Sequence, residues 1–205
     1  SEHYTDDFCG RMAEAMLRGF ERDRPWYLWV NFPGPHNPLD PTAERLAQFE
    51  GVDFPEPIEG QPGVDHQACR RAYAACCLGI DEWVGRLMDV VEARGEMDRT
   101  LIIFASDHGE MLGDHGRWGK SVPHEPSAHV PLILAGPGVP EGQHRGQLVE
   151  LIDLAATITE AAGAEPVADW DARSLWPVLR DDQSPHRDVQ VSGLGSWRCI
   201  HDGRY

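Results

Sequence analysis

Two short apolar runs, Leu101–Ala105 and Val130–Ala135, enclose a long polar segment and constrain the fold of this chain more than any other feature. Both have the length of a strand, are rich in branched apolar residues and are bounded by Gly, Pro or Asp, which is typical of buried strands. A polar loop that leaves a buried strand is where an open α/β sheet presents its chemistry. We therefore expect a functional site between the two runs.

Ser106-Asp107-His108-Gly109 follows the first run immediately. A carboxylate beside an imidazole suits a divalent cation, so Asp107 and His108 are candidate metal ligands, and a purely structural turn is the alternative. Two side chains do not complete the shell of such an ion, which takes about six donors. Lys120 follows in a Gly-rich stretch, from which its ammonium group can reach back as a fixed positive charge.

A third apolar run, Trp26–Phe32, predicts an interior strand because it is short and uncharged. The next residues, 33–38, contain three prolines and one glycine, which forbid regular pairing. His36 thus lies at the end of a predicted strand, as Asp107 does. It is therefore a candidate site residue, and an ordinary surface histidine is the alternative.

Helical apolar spacing alternates with these runs and indicates an α/β fold, with a mainly parallel sheet flanked by helices. Residues 188–205 resemble a hairpin around Gly193–Gly195, the start of a small antiparallel subdomain after an α/β domain at residues 1–187. Asp153 opens one of the helices, where an acid is more often a cap than a metal ligand. The predicted helices are 5–20, 41–49, 65–94 and 153–162.

The chain carries 18 basic and 34 acidic residues, a net charge of −16, which argues against a nucleic-acid partner. The same charge repels an anionic substrate at long range, so local cations must bind it. We expect no membrane partner, because no apolar run approaches about 18 residues, and the polar start is not a signal peptide. The five irregularly spaced cysteines favour small core residues with free thiols in a reducing, cytoplasmic compartment.

The block SDHGEMLGDHGRWGK, followed by HVPLILAGPG, resembles the sulfatase family of the alkaline-phosphatase superfamily, in its Ser-Asp-His-Gly branch. WYLWVNFPGPHNP, LVELIDLAATITEAAG and IHDGRY resemble further segments of its C-terminal half. The resemblance implies an alkaline-phosphatase-like fold and a divalent metal, Ca²⁺ or else Mn²⁺, bound by Asp107 and His108. It also implies that Lys120 and His36 contact the oxygens of the ester.

Family members carry a Cys or Ser nucleophile in a C/S-x-P/A-x-R context, the cysteine being oxidised to formylglycine, and none of the five cysteines here lies in that pattern. We therefore expect the nucleophile in an N-terminal half outside these residues. The resemblance implies hydrolysis of small sulfate esters. A phosphonate monoester or phosphodiester hydrolase is the alternative within the superfamily, and a non-catalytic interaction module the alternative outside it. Substrate identity, the metal and self-association stay open.

Overall fold

The computed structural model describes residues 5–165 and 167–204, which form two compact units. The first unit takes the chain up to Asp98 together with Leu112–Trp118, and the second takes Arg99–Met111 together with the chain from Gly119 onward. The elements of the first unit are α1 (Thr5–Gly19), α2 (Ala43–Ala47) and α3 (His66–Ala93), and those of the second are β1 (Ile102–Ala105), α4 (Glu125–Ala128), β2 (Leu132–Ala135), α5 (Asp153–Ala161), α6 (Trp176–Arg180), β3 (Gln190–Leu194) and β4 (Trp197–His201).

The first unit is built on the packing of α1 against α3, where small residues permit a close approach. A Cβ at Gly10 would lie 2.0 Å from the ring of Trp83, so the helices meet at this glycine. The indole Nε1 of Trp83 donates to Asp7 at 2.7 Å, and the guanidinium of Arg45 on α2 bonds both Asp7 and Glu82 at 2.9 Å. The four predicted helices are thus present, and α1, α2 and α3 are joined through Asp7.

The prediction of a strand at 26–32 is wrong, because this segment pairs with no other strand among the residues that the structure describes. Its exposure still alternates: Trp26 and Leu28 pack against the buried cluster of Leu17, Val90 and Val91, whereas Tyr27 and Trp29 are 61% and 71% exposed. The period of two is therefore real. A strand also needs a neighbour to bond its backbone, and within the described residues this segment has none.

β1 and β2 pair antiparallel in the second unit, with Ile102 opposite Ala135 and Ala105 opposite Leu132. The β–α alternation predicted parallel neighbours, and both strand pairs among the described residues are antiparallel instead. The helix α4 in the connection is only four residues long, which is compatible with antiparallel neighbours because these need no helical crossover between them. The two apolar runs themselves are confirmed as strands.

The core of the second unit forms where α6 packs on the sheet and on α5. Leu175, Trp176, Val178 and Leu179 are buried and contact Leu132 and Leu134 from β2 and Leu101, which directly precedes β1. The buried hydroxyl of Thr157 on α5 accepts the backbone N–H of Leu175 at 2.9 Å. The predicted hairpin is confirmed as β3 paired with β4. The proposed boundary between residues 187 and 188 stays a prediction.

Asp153 is neither a simple cap nor a metal ligand in this structure, because its carboxylate is fully buried among side-chain and backbone donors. Arg187 bonds both of its oxygens, and His186 Nε2 lies 3.1 Å from Oδ2. The backbone N–H groups of Glu150 and Arg173 also donate to it. Burial raises the pKa of this carboxyl, but the hydrogen bonds, that of Arg187 foremost, outweigh it and lower the pKa from 3.8 to about 2.

None of the five cysteines, all of which lie in the described ranges, forms a disulfide. Cys76 is buried and the other four are half-buried, so the expectation of small core residues holds fully for Cys76 alone. The reducing compartment stays a prediction. No helix within the described ranges has both the length and the apolar character that crossing a bilayer requires.

Candidate functional site

The turn after β1 is fixed by hydrogen bonds within the Ser106–Gly109 segment. The Ser106 hydroxyl donates to the carbonyl oxygen of His108 at 2.7 Å, and the backbone N–H of His108 donates to Asp107 Oδ1 at 3.0 Å. The imidazole Nδ1 of His108 lies 2.9 Å from the carbonyl oxygen of Gly109. A carbonyl only accepts, so this contact places the proton of a neutral His108 ring on Nδ1 and leaves Nε2 as the basic nitrogen.

Gly109 supplies the space that this turn requires. A Cβ at this position would lie 1.9 Å from the carbonyl oxygen of Pro126, which is a backbone atom and cannot rotate away. The Gly109 N–H donates to the carbonyl oxygen of Ser127 at 2.9 Å, and Ser127 is 5% exposed. The glycine of the motif thus fastens the turn to α4, and with it the backbone that carries Asp107 and His108.

Asp107 and His108 present their donor atoms on a common side of the turn. His108 Nε2 lies 3.7 Å from Asp107 Oδ2, and the Asp107 side chain is 86% exposed. Carboxylate oxygen and imidazole nitrogen fit a divalent cation such as Ca²⁺ or Mn²⁺. In the part of the chain that the structure describes, no three His, Cys, Asp or Glu side chains gather as a metal site. Metal binding by Asp107 and His108 stays a prediction, and two side chains alone would fill only part of a coordination shell.

Lys120 belongs to the same unit, and the chain folds back just before it. The Met111 N–H donates to the carbonyl oxygen of Gly119 at 2.9 Å, and the Gly119 N–H donates to Glu110 Oε1. These bonds bring residues 119–120 beside the segment that leaves Gly109. The predicted reach of Lys120 toward the Asp107–His108 turn is compatible with this course of the backbone, and its contact with an ester stays a prediction.

A second Asp-His pair, Asp114 and His115, serves a different purpose in the first unit. Asp114 Oδ1 accepts from Arg70 at 2.9 Å and from the backbone N–H of Ile58 at 3.1 Å. His115 Nδ1 lies 3.0 Å from Glu59, and its backbone N–H donates to the Ile58 carbonyl oxygen. This pair therefore holds the loop around residues 58–59, a role that the sequence did not reveal.

His36 lies in the first unit, exposed in a turn closed by its own N–H, which donates to the carbonyl oxygen of Pro33 at 3.2 Å. Its Nδ1 lies 2.9 Å from the carbonyl oxygen of Asn37, so in the neutral ring Nε2 is again the basic nitrogen. The predicted loop at 33–38 is present. The shared position of His36, Lys120 and the Asp107–His108 pair around one anion stays a prediction.

Asp6 is a residue of this region that sequence reasoning misses, because with Thr5 and Asp7 it opens the predicted helix 5–20, where an acid has a local reason to be. The structure buries it, at 2% exposure, and its Oδ1 accepts the backbone N–H of Gly34 at 2.9 Å. Nothing in the spacing of Asp6 indicates this contact. Gly109 is visible in the sequence as the last residue of the Ser-Asp-His-Gly motif. Its close approach to Pro126 is not visible there.

The sulfatase family model matches residues 2–164 of the chain. A choline-sulfatase from Rhizobium meliloti (strain 1021) is 36% identical over 85% of this chain and 40% of its own length. The chain thus spans well under half of this relative.

Solved structures carry the same fold. One described in complex with its substrate D-glucosamine-2-N,6-O-disulfate superposes with a TM-score of 0.82 at 20% identity, over 98% of this chain and 59% of the other. The phosphonate monoester hydrolase from Silicibacter pomeroyi superposes with a TM-score of 0.79 at 26% identity, over 90% of this chain and 44% of the other. The predicted alkaline-phosphatase-like α/β class is confirmed by these likenesses. Three observations agree: the turn at Asp107 and His108, the match of the family model over 163 residues, and the shared fold. The chain therefore belongs to the sulfatase family.

Proposed function

We propose that the intact protein hydrolyses small sulfate esters with the help of a divalent cation, Asp107 and His108 being two of its ligands. The observation that carries this proposal is the construction of the turn after β1. Hydrogen bonds from Ser106 and to Gly109 orient His108 so that Nε2 and Asp107 Oδ2 lie 3.7 Å apart. A metal-ligating histidine that bonds a carbonyl through its other nitrogen is a recurring arrangement, because that bond fixes ring and tautomer.

A divalent cation held in part by Asp107 and His108 would supply Lewis acidity at the ester. The side chains of the chain supply the rest. The ammonium group of Lys120 offsets negative charge that builds on peripheral oxygens in sulfuryl or phosphoryl transfer. His36 contacts an ester oxygen, and in its protonated form it also donates to the leaving group. These positive groups counter a chain charge of −16, which opposes the approach of an anion.

A phosphonate monoester or phosphodiester hydrolase is the second candidate. It is supported by the structural likeness to the Silicibacter pomeroyi enzyme at 26% identity, above the 20% of the disulfate complex. The same two ligands and the same lysine serve either ester, since both transferred groups carry charge on peripheral oxygens. The sulfatase reading has the support of the choline-sulfatase at 36% identity.

The test is turnover of an aryl sulfate and of an aryl phosphonate monoester by the intact protein, with and without a chelator. We expect hydrolysis of the sulfate that the chelator abolishes and that Ca²⁺ or Mn²⁺ restores. A rate on the phosphonate that exceeds the sulfate rate would replace the first candidate by the second. Absence of both activities in the metal-loaded protein would support a non-catalytic module instead.

A further inference from the structure

The turn that carries His36 rests on a buried carboxylate of α1. Asp6 Oδ1 accepts the backbone N–H of Gly34 at 2.9 Å, two residues before His36. The other oxygen faces the same glycine: a Cβ at Gly34 would lie 2.4 Å from Asp6 Oδ2, and its three nearest atoms would all belong to Asp6. The carboxylate therefore covers Gly34 from one side, bonding its N–H with one oxygen and packing on its Cα with the other.

This contact is more than a helix-end interaction. Asp6 is 2% exposed, and burying a carboxylate is costly unless donors compensate for the lost water. A hydrogen bond to a charged acceptor is stronger than one between neutral groups, so the Gly34 N–H is held firmly. The neighbouring acid points elsewhere, because Asp7 bonds Arg45 and Trp83 at 2.9 and 2.7 Å. The two adjacent carboxylates thus bind different parts of the unit: Asp6 binds the turn at Gly34, and Asp7 binds α2 and α3.

The turn itself is short, so a displacement at Gly34 reaches the ring of His36. The His36 N–H bonds the carbonyl oxygen of Pro33, and the ring bonds the next carbonyl oxygen at Asn37. We infer that Asp6 is a positioning residue, which sets the place of the His36 imidazole by holding Gly34. This inference rests on the proposed function in so far as His36 contacts the ester, and its structural part is independent of it.

The experiment uses the intact protein, labelled with ¹⁵N-glycine and ¹³C-histidine, in the variants Asp6→Ala, Asp6→Asn and Asp7→Ala. Asp6→Ala removes the acceptor, so we expect the Gly34 amide and the His36 ring resonances to move and kcat/KM for the ester to fall about tenfold or more. Asp6→Asn keeps an acceptor of the same shape and is expected to restore most of both. Asp7→Ala is the matched control: it lowers Tm through Arg45 and Trp83 but leaves the Gly34 and His36 resonances in place.

A second set of variants separates loss of this contact from a general loss of stability, because it compares the effect of Gly34→Ala with and without the Asp6 side chain. Gly34→Ala alone forces a methyl group against the carboxylate, whereas in Asp6→Ala/Gly34→Ala the space is open. We expect the His36 ring resonances and the turnover of the double variant to match those of Asp6→Ala. Equal costs of Gly34→Ala in both backgrounds, or unmoved resonances in Asp6→Ala, would overturn the inference. If the resonances move as expected while His36→Gln keeps full turnover, positioning by Asp6 stands and the proposed role of His36 fails.

Discussion

The Nε2 atom of His108 lies 3.7 Å from Oδ2 of Asp107, while Nδ1 of the same ring is fixed on the Gly109 carbonyl oxygen at 2.9 Å. The distance between nitrogen and oxygen exceeds that of a hydrogen bond, and both atoms are of the kind that ligate divalent cations. The ring is thus held in one orientation, which would favour the proposed cation because less side-chain freedom would be lost on binding.

The first prediction concerns these two donors. Asp107→Asn and His108→Gln should each weaken the binding of Ca²⁺ or Mn²⁺ to the intact protein by about 100-fold, because each removes a ligand from the shell. Titration calorimetry measures the affinity. His201→Gln in β4, an exposed histidine of the same unit, is the control and should bind as the original protein does. Unchanged affinity in both site variants would refute the ligand assignment.

The second prediction concerns Gly109→Ala. The added methyl group would meet the Pro126 carbonyl oxygen, so the turn must move away from α4, at about 1–3 kcal/mol of unfolding free energy. We expect Tm to fall by about 2–4 °C for each kcal/mol lost, and metal affinity to fall with it. Gly146→Ala has open space around the new methyl group and should alter neither quantity. A Gly109→Ala protein with full affinity would show that the turn adapts.

The third prediction compares two helical glycines of the first unit. Gly10→Ala places a methyl group 2.0 Å from the buried ring of Trp83, so it should lower the free energy of unfolding by about 1–3 kcal/mol. Gly85→Ala in α3 meets nothing within 4 Å, so it should raise stability by about 0.5–1 kcal/mol, the gain in helix propensity. Urea denaturation measures both. Effects of equal sign would contradict the packing of α1 on α3.

The fourth prediction concerns pH. The pKa of Asp153 is lowered to about 2, so its contribution to stability is complete above the ordinary value of 3.8 and is lost as the pH falls toward 2. The loss amounts to about 2 kcal/mol, since one pKa unit corresponds to about 1.4 kcal/mol. Denaturation measured between pH 2 and 7 should show this slope.

Asp153→Asn should remove that acid slope and lower stability at neutral pH by about 3–5 kcal/mol, because it removes the charge that both guanidinium contacts of Arg187 share. Among the described residues this leaves Arg187 only the longer ion pair with Glu150 at 3.5 Å. Glu160→Gln is the control: Glu160 forms an exposed pair with Arg180 at 3.5 Å, and its loss should cost little. An Asp153→Asn protein that keeps the acid slope would assign the slope to other carboxyls.

The sequence predicted those features that depend on local pattern. The runs at β1 and β2 read as strands because apolar, branched residues of strand length lie between breakers, and the turn at Asp107 and His108 followed from the place where the first run ends. The 28-residue helix α3 corresponds to the predicted helix at 65–94, because apolar residues recur there at every third or fourth position, and Cys76, Ile80 and Val91 of this spacing are buried.

Features that depend on which elements meet were not predictable. On α1 the residues Phe8, Met12 and Met16 recur at a helical spacing that predicts the helix at 5–20, yet their side chains are 58%, 47% and 48% exposed. The buried face carries Gly10, Ala13 and Leu17 instead, because small residues admit Trp83. The sequence pattern shows that α1 is a helix, whereas the packing against α3 decides which face of α1 is buried.

The same limit explains Asp153 and Asp6. Both begin helices, where an acid has a local reason to be, and both are held by groups far along the chain: Arg187 for the former, Gly34 for the latter. Sequence reasoning chose the local explanation because the distant donor is visible only once the chain has folded.

Gly109 has a consequence for genetics. A residue without a functional group lies where every larger one collides with Pro126, so a saturation library should deplete this codon as fully as that of His108. Depletion of variants alone would then suggest that Gly109 takes part in the chemistry, although it carries no functional group. Metal titration of the surviving alleles separates the two kinds of intolerance.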